Sequence, residues 1–439
     1  MIFRKTKVEA LVSGVLMLMA GQACASGFAL IEQSSGLGNS FAGGAAAAED
    51  ATTIFFNPAG MAKLKGDQVT VAASFIDFSA KFSDTGSNGA ALQTAGGNGG
   101  DAGGLAVVPN TYIVTEIEPA LRFGLGINVP FGLKTQYDPD WVGRFQAIDS
   151  KIQTININPS LSYEMNDMVS LGFGLNYQRI TGELTSAVNY SAAAFAAGGA
   201  GLLTAIGGPG VEGVSTIKGS DSAWGYNFGV LFQIAPETRW GIAYRSEIKY
   251  TLNGTITFAD VPAALSASPL LANGDVVLPI TMPDSLSISA FHQLGNGWDI
   301  MADATRTGWS SIQQLKIDRT SGGNVLTVQE KWKDTWRVAA GASYRYNEQW
   351  LARIGVAYDQ TPVSDAYRTA RIPDNDRSWI SVGGQYKVSQ AGTLDFGYAH
   401  LFVKDAGIAD MQAAGGKGDL VGTYKGSVNI VSVQYAHSF

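Results

Sequence analysis

The sequence predicts an all-β fold: a transmembrane antiparallel β-barrel of about fourteen strands with an N-terminal plug in its lumen. Three observations lead there. Segments of about ten residues alternate apolar and polar side chains. The connections between them alternate short and long. Charged residues are 15% of the 439, against the usual ~25%, while aromatics reach 10% and glycine 54 residues. Beyond the first 25 residues, no uninterrupted apolar run approaches the ~20 residues that a membrane helix needs. Alternating strands put half of their side chains against lipid, so mean hydropathy stays modest. No composition shift marks a second domain.

Arg4, Lys5 and Lys7 precede an uncharged apolar stretch from Leu11 to Ala20, and Ala23-Cys24-Ala25 offers small residues for cleavage. Residues 1–25 therefore read as a secretory signal peptide, its apolar core too short to span a membrane. The rival is a buried N-terminal helix; a lipoprotein signal at Cys24 is a further alternative, but Gly21 stands where a larger aliphatic residue is wanted. Cys24 is the one cysteine, so cleavage leaves no thiol for a disulfide, a nucleophile or a metal site. Cleavage also removes three basic residues and one acid, taking the formal charge from −7 to −9. Nothing in that balance suits a nucleic-acid partner.

Residues 26–66 do not alternate. They hold a Gly- and Ala-rich run from Gly36 to Ala48, then Asn57-Pro58-Ala59-Gly60-Met61. Phe28, Leu30, Ile31, Phe41, Ile54, Phe55 and Phe56 would be exposed in a free tail, which favours a plug inside the barrel. The barrel itself is expected over 67–439. Alternating segments lie near 68–82, 110–117, 120–129, 150–164, 167–186, 219–234, 238–257, 279–294, 297–317, 325–345, 349–360, 374–388, 391–405 and 423–439. The long connections are 83–109, 130–149, 187–218, 258–278, 318–324, 361–373 and 406–422. Short periplasmic turns and long outer loops are the barrel pattern, and an even count leaves both termini periplasmic.

Faces follow from period two. Trp350, Ala352, Ile354, Val356 and Tyr358 share a lipid face, with Arg353 and Asp359 opposite. Trp240, Ile242, Tyr244, Ile248 and Tyr250 repeat the pattern opposite Arg245, Glu247 and Lys249. Trp240, Trp298 and Trp350 each follow a short polar connection, as a headgroup-level aromatic girdle would. The last amphipathic segment ends at Phe439. An aromatic C-terminus there resembles the signal read by the barrel assembly machinery of a Gram-negative outer membrane.

The chain resembles the long-chain fatty-acid transporter (FadL-type) family. The resemblance rests on Asn57-Pro58-Ala59, on Tyr244 to Lys249, on Trp309-Ser310 with Gln313 to Lys316, and on Ile372 to Arg377, in that order along one chain. It runs through nearly the whole mature chain and is strongest from 240 to 400. It implies a fourteen-stranded barrel and an N-terminal hatch that includes Phe28, Asn57, Pro58 and Ala59. It also implies passive, ligand-gated uptake of long-chain fatty acids, and a capture groove between outer loops. A gap in the wall at the third strand would give exit into the membrane.

The residues support parts of that expectation independently. Loop 191–206 is uncharged and holds Phe195, Leu202, Leu203 and Ile206, and loop 258–278 holds Val261, Leu265, Leu270 and Leu271. Such apolar surface calls for a ligand, or for the two loops to pack on each other. Outer-membrane lipid and lipopolysaccharide are their surroundings. Gly124, Gly126 and Pro130 crowd the third strand, where glycine weakens and proline interrupts a ladder. For a carboxylate anchor, Arg245, Lys249, Arg337, Arg345 and Arg353 have lumen parity. The resemblance would place headgroup contacts at Arg179 and Lys316. Arg179, however, shares parity with Phe173, Leu175 and Tyr177, which should face lipid.

An enzyme is not expected. His292, His400 and His437 have no serine or aspartate motif beside them, and no zinc spacing appears. The glycine run 96–104 lacks the strand–helix context of a phosphate loop. No cofactor is expected. Uptake of aromatic hydrocarbons or alkanes by the same fold is the alternative to fatty acids.

Overall fold

The computed structural model describes residues 27–33 and 35–439. The expected signal peptide lies outside them. The sheet is built of twenty segments that join into fourteen antiparallel strands around a closed barrel. Eight strands run unbroken: β1 (Gln68–Asp84), β2 (Gly104–Glu118), β5 (Asp149–Asn166), β6 (Val169–Asn189), β7 (Glu212–Ala235), β16 (Trp350–Asp359), β17 (Arg377–Lys387) and β20 (Asp419–Ser438). Six are interrupted once. These are β3 (Leu121–Asn128) with β4 (Gly132–Gln136), β8 (Thr238–Arg245) with β9 (Ile248–Phe258), and β10 (Gly274–Met282) with β11 (Ser285–Gly295). The others are β12 (Trp298–Thr307) with β13 (Gln314–Arg319), β14 (Asn324–Gln329) with β15 (Thr335–Arg345), and β18 (Gly392–Val403) with β19 (Ala406–Met411). First and last strands close the barrel, pairing from Gln68↔Ser438 to Asp84↔Gly422.

The alternation read from sequence sets the faces. On β16, Trp350, Ile354, Val356 and Tyr358 are exposed, while Arg353 and Asp359 are buried. Exposed side chains of that size are explained by a lipid surround. Trp240, Trp298 and Trp350 stand exposed at or near the starts of β8, β12 and β16, as a girdle requires. Trp298 packs on Tyr344 at 4.8 Å and Trp350 on Tyr386 at 4.6 Å.

One face assignment is corrected. The break at Ser246–Glu247 inverts the parity between β8 and β9. Ile248 and Tyr250 are buried, whereas Lys249 points outward, paired with Glu247 at 2.9 Å. An extra residue in a strand turns every later side chain to the other face.

Residues 27–33 and 35–67 precede β1, and those up to Leu64 are packed for the most part inside the barrel. They contain two short helices, α1 (Gly44–Ala47) and α2 (Thr53–Phe56), and a 3₁₀ turn at Pro58–Lys63. Phe28, Leu30, Leu37, Phe41, Ile54, Asn57, Ala59 and Met61 are all buried. Long connection 187–218 is not irregular: α3 (Tyr190–Ala205) occupies it, kinked at Gly198 and Gly199. Alanine-rich sequence favours that helix, and the two glycines break it.

Candidate functional site

The Asn57-Pro58-Ala59 motif locks the back of the lumen segment. Asn57 caps the 3₁₀ turn: its Oδ1 accepts from Ala59 N at 3.0 Å. Its Nδ2 donates to Ala45 O at 2.7 Å and to Val230 O, on β7, at 3.1 Å. The wall has been cleared for this approach. A Cβ at Gly229 would lie 1.9 Å from Asn57 Oδ1, and one at Gly172 would lie 2.1 Å from Ala59 N. Two ion pairs add to the hold, Lys63–Glu164 at 2.8 Å and Arg353–Glu49 at 2.7 Å.

Gly124 and Gly126 belong to this same fit, which corrects their expected part in a kink. Both sit in β3 where it pairs regularly with β2 and β5. A Cβ at Gly124 would meet Met61 Sδ at 2.4 Å, and one at Gly126 would meet Tyr112 at 3.0 Å. They make room for Ile54 and Met61 of the lumen segment. The break lies further on, at Val129–Phe131, so Pro130 alone of the three sits in it.

At that break the wall loses pairing on one side. β2 pairs with β3 only as far as Thr111↔Ile127, and β4 pairs with β5. Residues 28–33 lie against the inner side of this stretch. Leu30 N donates to Pro130 O at 2.8 Å and Gly132 N to Phe28 O at 2.9 Å. Asn110 Nδ2 donates to Glu32 O at 3.0 Å, and Gln33 Nε2 to Val129 O at 2.9 Å. Phe28 inserts among Phe131, Trp309 and Trp332 at ring separations of 6.0, 4.9 and 5.6 Å. The sequence reading missed Trp309 and Trp332 as site residues. Both lie at strand interruptions, where an aromatic beside a broken alternation was the available signal.

Beneath this cluster is a cavity of about 1100 Å³, counting space open to solvent, lined by Leu30, Phe55, Phe56, Pro58, Trp309 and Arg245 among others. Lumen arginines near it are mostly neutralised by the wall. Arg337 pairs with Asp303 at 3.4 Å, Arg353 with Asp395 at 2.6 Å, and Arg377 with Asp374. Arg245 differs. It donates to Asn176 Oδ1 at 2.5 Å and Phe55 O at 3.0 Å and lies 4.5 Å from the Phe55 ring centre. Among the described residues no carboxylate is within ion-pair distance of it. Arg345 is exposed at the end of β15.

Higher in the barrel is an aliphatic slot of about 550 Å³, lined by Ile180, Leu184, Leu252, Leu278, Leu315 and Ile317. Ile180 and Leu252 also belong to the Phe28 cluster, so the apolar surface is continuous. One side of the slot is bare backbone. Gly182 pairs with Gly219 and Gly219 with Gly254 across three strands. At Gly254 a Cβ would lie 1.8 Å from Lys218 O.

Above the slot the two apolar loops pack on each other. Tyr190, Ala194 and Leu265 form a buried cluster with Leu202, Ile206, Val261 and Leu271 against it. Phe195 and Leu270 remain exposed, and Leu203 is half-buried.

Arg179 and Lys316 are outside the cavity. β6 pairs with β7 without a register shift, so nothing reverses Arg179, which is exposed and donates to Ser220 Oγ at 3.2 Å. Lys316 is exposed on β13 and pairs with Asp318 at 3.0 Å, while neighbouring Leu315 and Ile317 face the slot. The headgroup contacts implied by resemblance therefore fall on the wrong face of the wall; Arg245 and Arg337 border the cavity, and Arg337 is paired with Asp303. Among the described residues, no group of three or more His, Cys, Asp or Glu is arranged to hold a metal.

Comparison with known proteins agrees with this architecture. The family profile described as "Outer membrane protein transport protein (OMPP1/FadL/TodX)" matches residues 16–439. The long-chain fatty acid transport protein of Escherichia coli K12 is 29% identical over 404 residues, 88% of this chain and 89% of that protein. Outer membrane protein P1 of Haemophilus influenzae is 30% identical, covering 98% of this chain and 97% of its own. The crystal structure of a Pseudomonas aeruginosa FadL homologue superposes with a TM-score of 0.85 at 28% identity, over 94% of this chain and 100% of that one. The Ralstonia pickettii toluene transporter TbuX shares the fold at TM-score 0.66 and 21% identity, over 93% and 99% of the two chains.

Proposed function

Because the chain belongs to the OMPP1/FadL/TodX family of outer-membrane transport proteins, we propose that it carries long-chain fatty acids inward by passive diffusion. The observation that carries this reading is Arg245. It is a half-buried guanidinium on the main cavity, next to Phe55 and the lumen segment, with no acid of its own within ion-pair distance among the described residues. A hydrocarbon has no use for such a group; a carboxylate headgroup does.

The path runs downward. Ligand is captured where α3 and loop 258–278 meet, with exposed Phe195 and Leu270 offering first contact. The acyl chain then lies in the aliphatic slot and displaces Phe28 from its aromatic cluster. Exit is sideways, past Pro130, through the stretch where β2 and β4 are unpaired. A tail gains about 0.8 kcal/mol per CH₂ on leaving water, and lateral exit keeps that gain where release to the periplasm would forfeit it.

Arg245→Gln tests the reading. Charge-assisted hydrogen bonds contribute about 1.5–3 kcal/mol, so oleate affinity should fall roughly ten- to a hundredfold. Toluene uptake by the same variant should not change. Oleate binding that survives the substitution would remove the support for a carboxylate ligand and favour hydrocarbons.

A further inference from the structure

The outer face of β4 to β7 carries cations that the transport path does not use. Lys134 pairs in register with Lys151, Lys151 with Glu183, and Glu183 with Lys218, so one transverse row crosses four strands. Arg179 lies on the same face of β6, nearer the lipid. Their sequence neighbours Thr135, Ser150 and Ile180 are buried, so these side chains point away from the lumen. Between the cations, the short side chains of Thr181, Ser220 and Asn253 leave an open basin of about 760 Å³ bordered by Lys151, Arg179 and Lys218.

The height of the basin is fixed by its neighbours. Exposed Tyr177 and Trp224, 5.0 Å apart, form the aromatic layer at the outer edge of the lipid face. Arg179 is the next outward residue above Tyr177, and Lys151 and Lys218 stand two rows beyond it. Two acids share the patch. Glu183 pairs with Lys218 at 3.0 Å, and Asp149 neighbours Lys134 and Lys151. Four cations against two acids leave a local excess of positive charge on a chain whose formal charge is −7. Lys151 and Arg179 have no carboxylate within ion-pair distance among the described residues.

We propose that this basin binds the phosphorylated headgroup of the outer leaflet's glycolipid, lipopolysaccharide. Arg179 meets the phosphate nearest the acyl chains, and Lys151 and Lys218 meet the acidic groups above it. Guanidinium and ammonium groups are matched to phosphate oxygens, and headgroup depth is where the row stands. The acyl chains then lie along exposed Ile157 and Leu161 of β5.

The test titrates purified protein in neutral detergent with bisphosphorylated lipid A and with its dephosphorylated form, following binding by native mass spectrometry and thermal unfolding. Wild type should bind the phosphorylated form at least fivefold more tightly. Combined Lys134→Gln, Lys151→Gln, Arg179→Gln and Lys218→Gln should abolish that preference while heat-resistant migration persists. Single Arg179→Gln, at an exposed position, should weaken it partially and serves if the fourfold variant fails to fold. Lys81→Gln with Lys425→Gln, an outward pair across the β1–β20 junction, should change nothing. Equal binding of both lipid forms, or equal losses in the two sets of variants, would overturn the proposal in favour of diffuse charge attraction.

Discussion

Residues 45–63 and residues 27–33 both lie inside the barrel, yet they are held by different chemistry. The first group is fixed by directional polar bonds: Asn57 to Ala45 and Val230, Glu49 to Arg353, and Asp50 accepting from Gln434 Nε2 at 2.6 Å. The second carries no ion pair among the described residues: it rests on Phe28 among three aromatic rings, on backbone bonds to a broken strand, and on two amide donors, Asn110 to Glu32 O and Gln33 to Val129 O. It also buries Glu32, whose carboxyl oxygens accept no hydrogen bond from another side chain. An acyl chain cannot replace the geometry of an amide donor, but it can replace a phenyl ring among aromatics. On the proposed path the back of the segment is the anchor and the Phe28 end is the part that yields.

The largest effect should come from breaking the anchor. Gly229→Val places carbon where Asn57 Oδ1 now sits, a clash worth about 3 kcal/mol or more. The segment should leave its seat, and single-channel conductance in planar bilayers should rise well above wild type while the barrel still migrates heat-resistant. Unchanged conductance would mean that Asn57 holds nothing.

A second, smaller effect sharpens the front end. Burial pushes the Glu32 carboxyl up from 4.5 to about 7, although Arg337 and Arg377 pull it down. The folded value exceeds the unfolded one, so the protonated acid favours the docked front. That advantage is complete below about pH 4.5 and is lost as pH rises through 7. Its ceiling is about 3 kcal/mol. Hydrogen exchange of residues 27–33, corrected for intrinsic rates, should be faster at pH 8 than at pH 5. Glu32→Gln should remove the difference; a difference that persists would assign it to another group.

The smallest effect belongs to the loops, which lie outside the contrast. Leu202→Asp with Leu271→Asp should weaken fatty-acid binding to whole cells several-fold, about 1 kcal/mol, with both ends of the lumen segment unmoved. Binding at the wild-type level would leave the loops as packing for each other.

Much of this was readable in advance, and the misses trace to an inserted residue and to partners far away in the chain. Strand existence, the outward set on β16 and the plug followed from period two and from apolar residues that a tail would expose. What one strand cannot reveal is an inserted residue, and the break at Ser246–Glu247 inverted Lys249, Ile248 and Tyr250. Gly124 and Gly126 were visible as glycines, but their reason was not. It lies in Ile54 and Met61, more than sixty positions earlier in the chain. Asn57 was legible as a motif, while its partner Val230 is 173 residues away. Arg245 shared lumen parity with other cations, and only the acids placed across the barrel distinguish it.

The seam between β1 and β20 bears on how the molecule is made. It joins the two ends of the chain: Gln68 pairs with Ser438, Phe439 N donates to Asp67 O at 2.9 Å, and from the lumen segment Asp50 meets Gln434 of β20 at a separation of 384 residues. Such long-range pairing forms late, because the intervening chain must first be ordered. The lumen segment runs directly into β1, the first edge of that seam. Because the segment leads into one edge and bonds to the other, filling the lumen and sealing the barrel are coupled events of assembly.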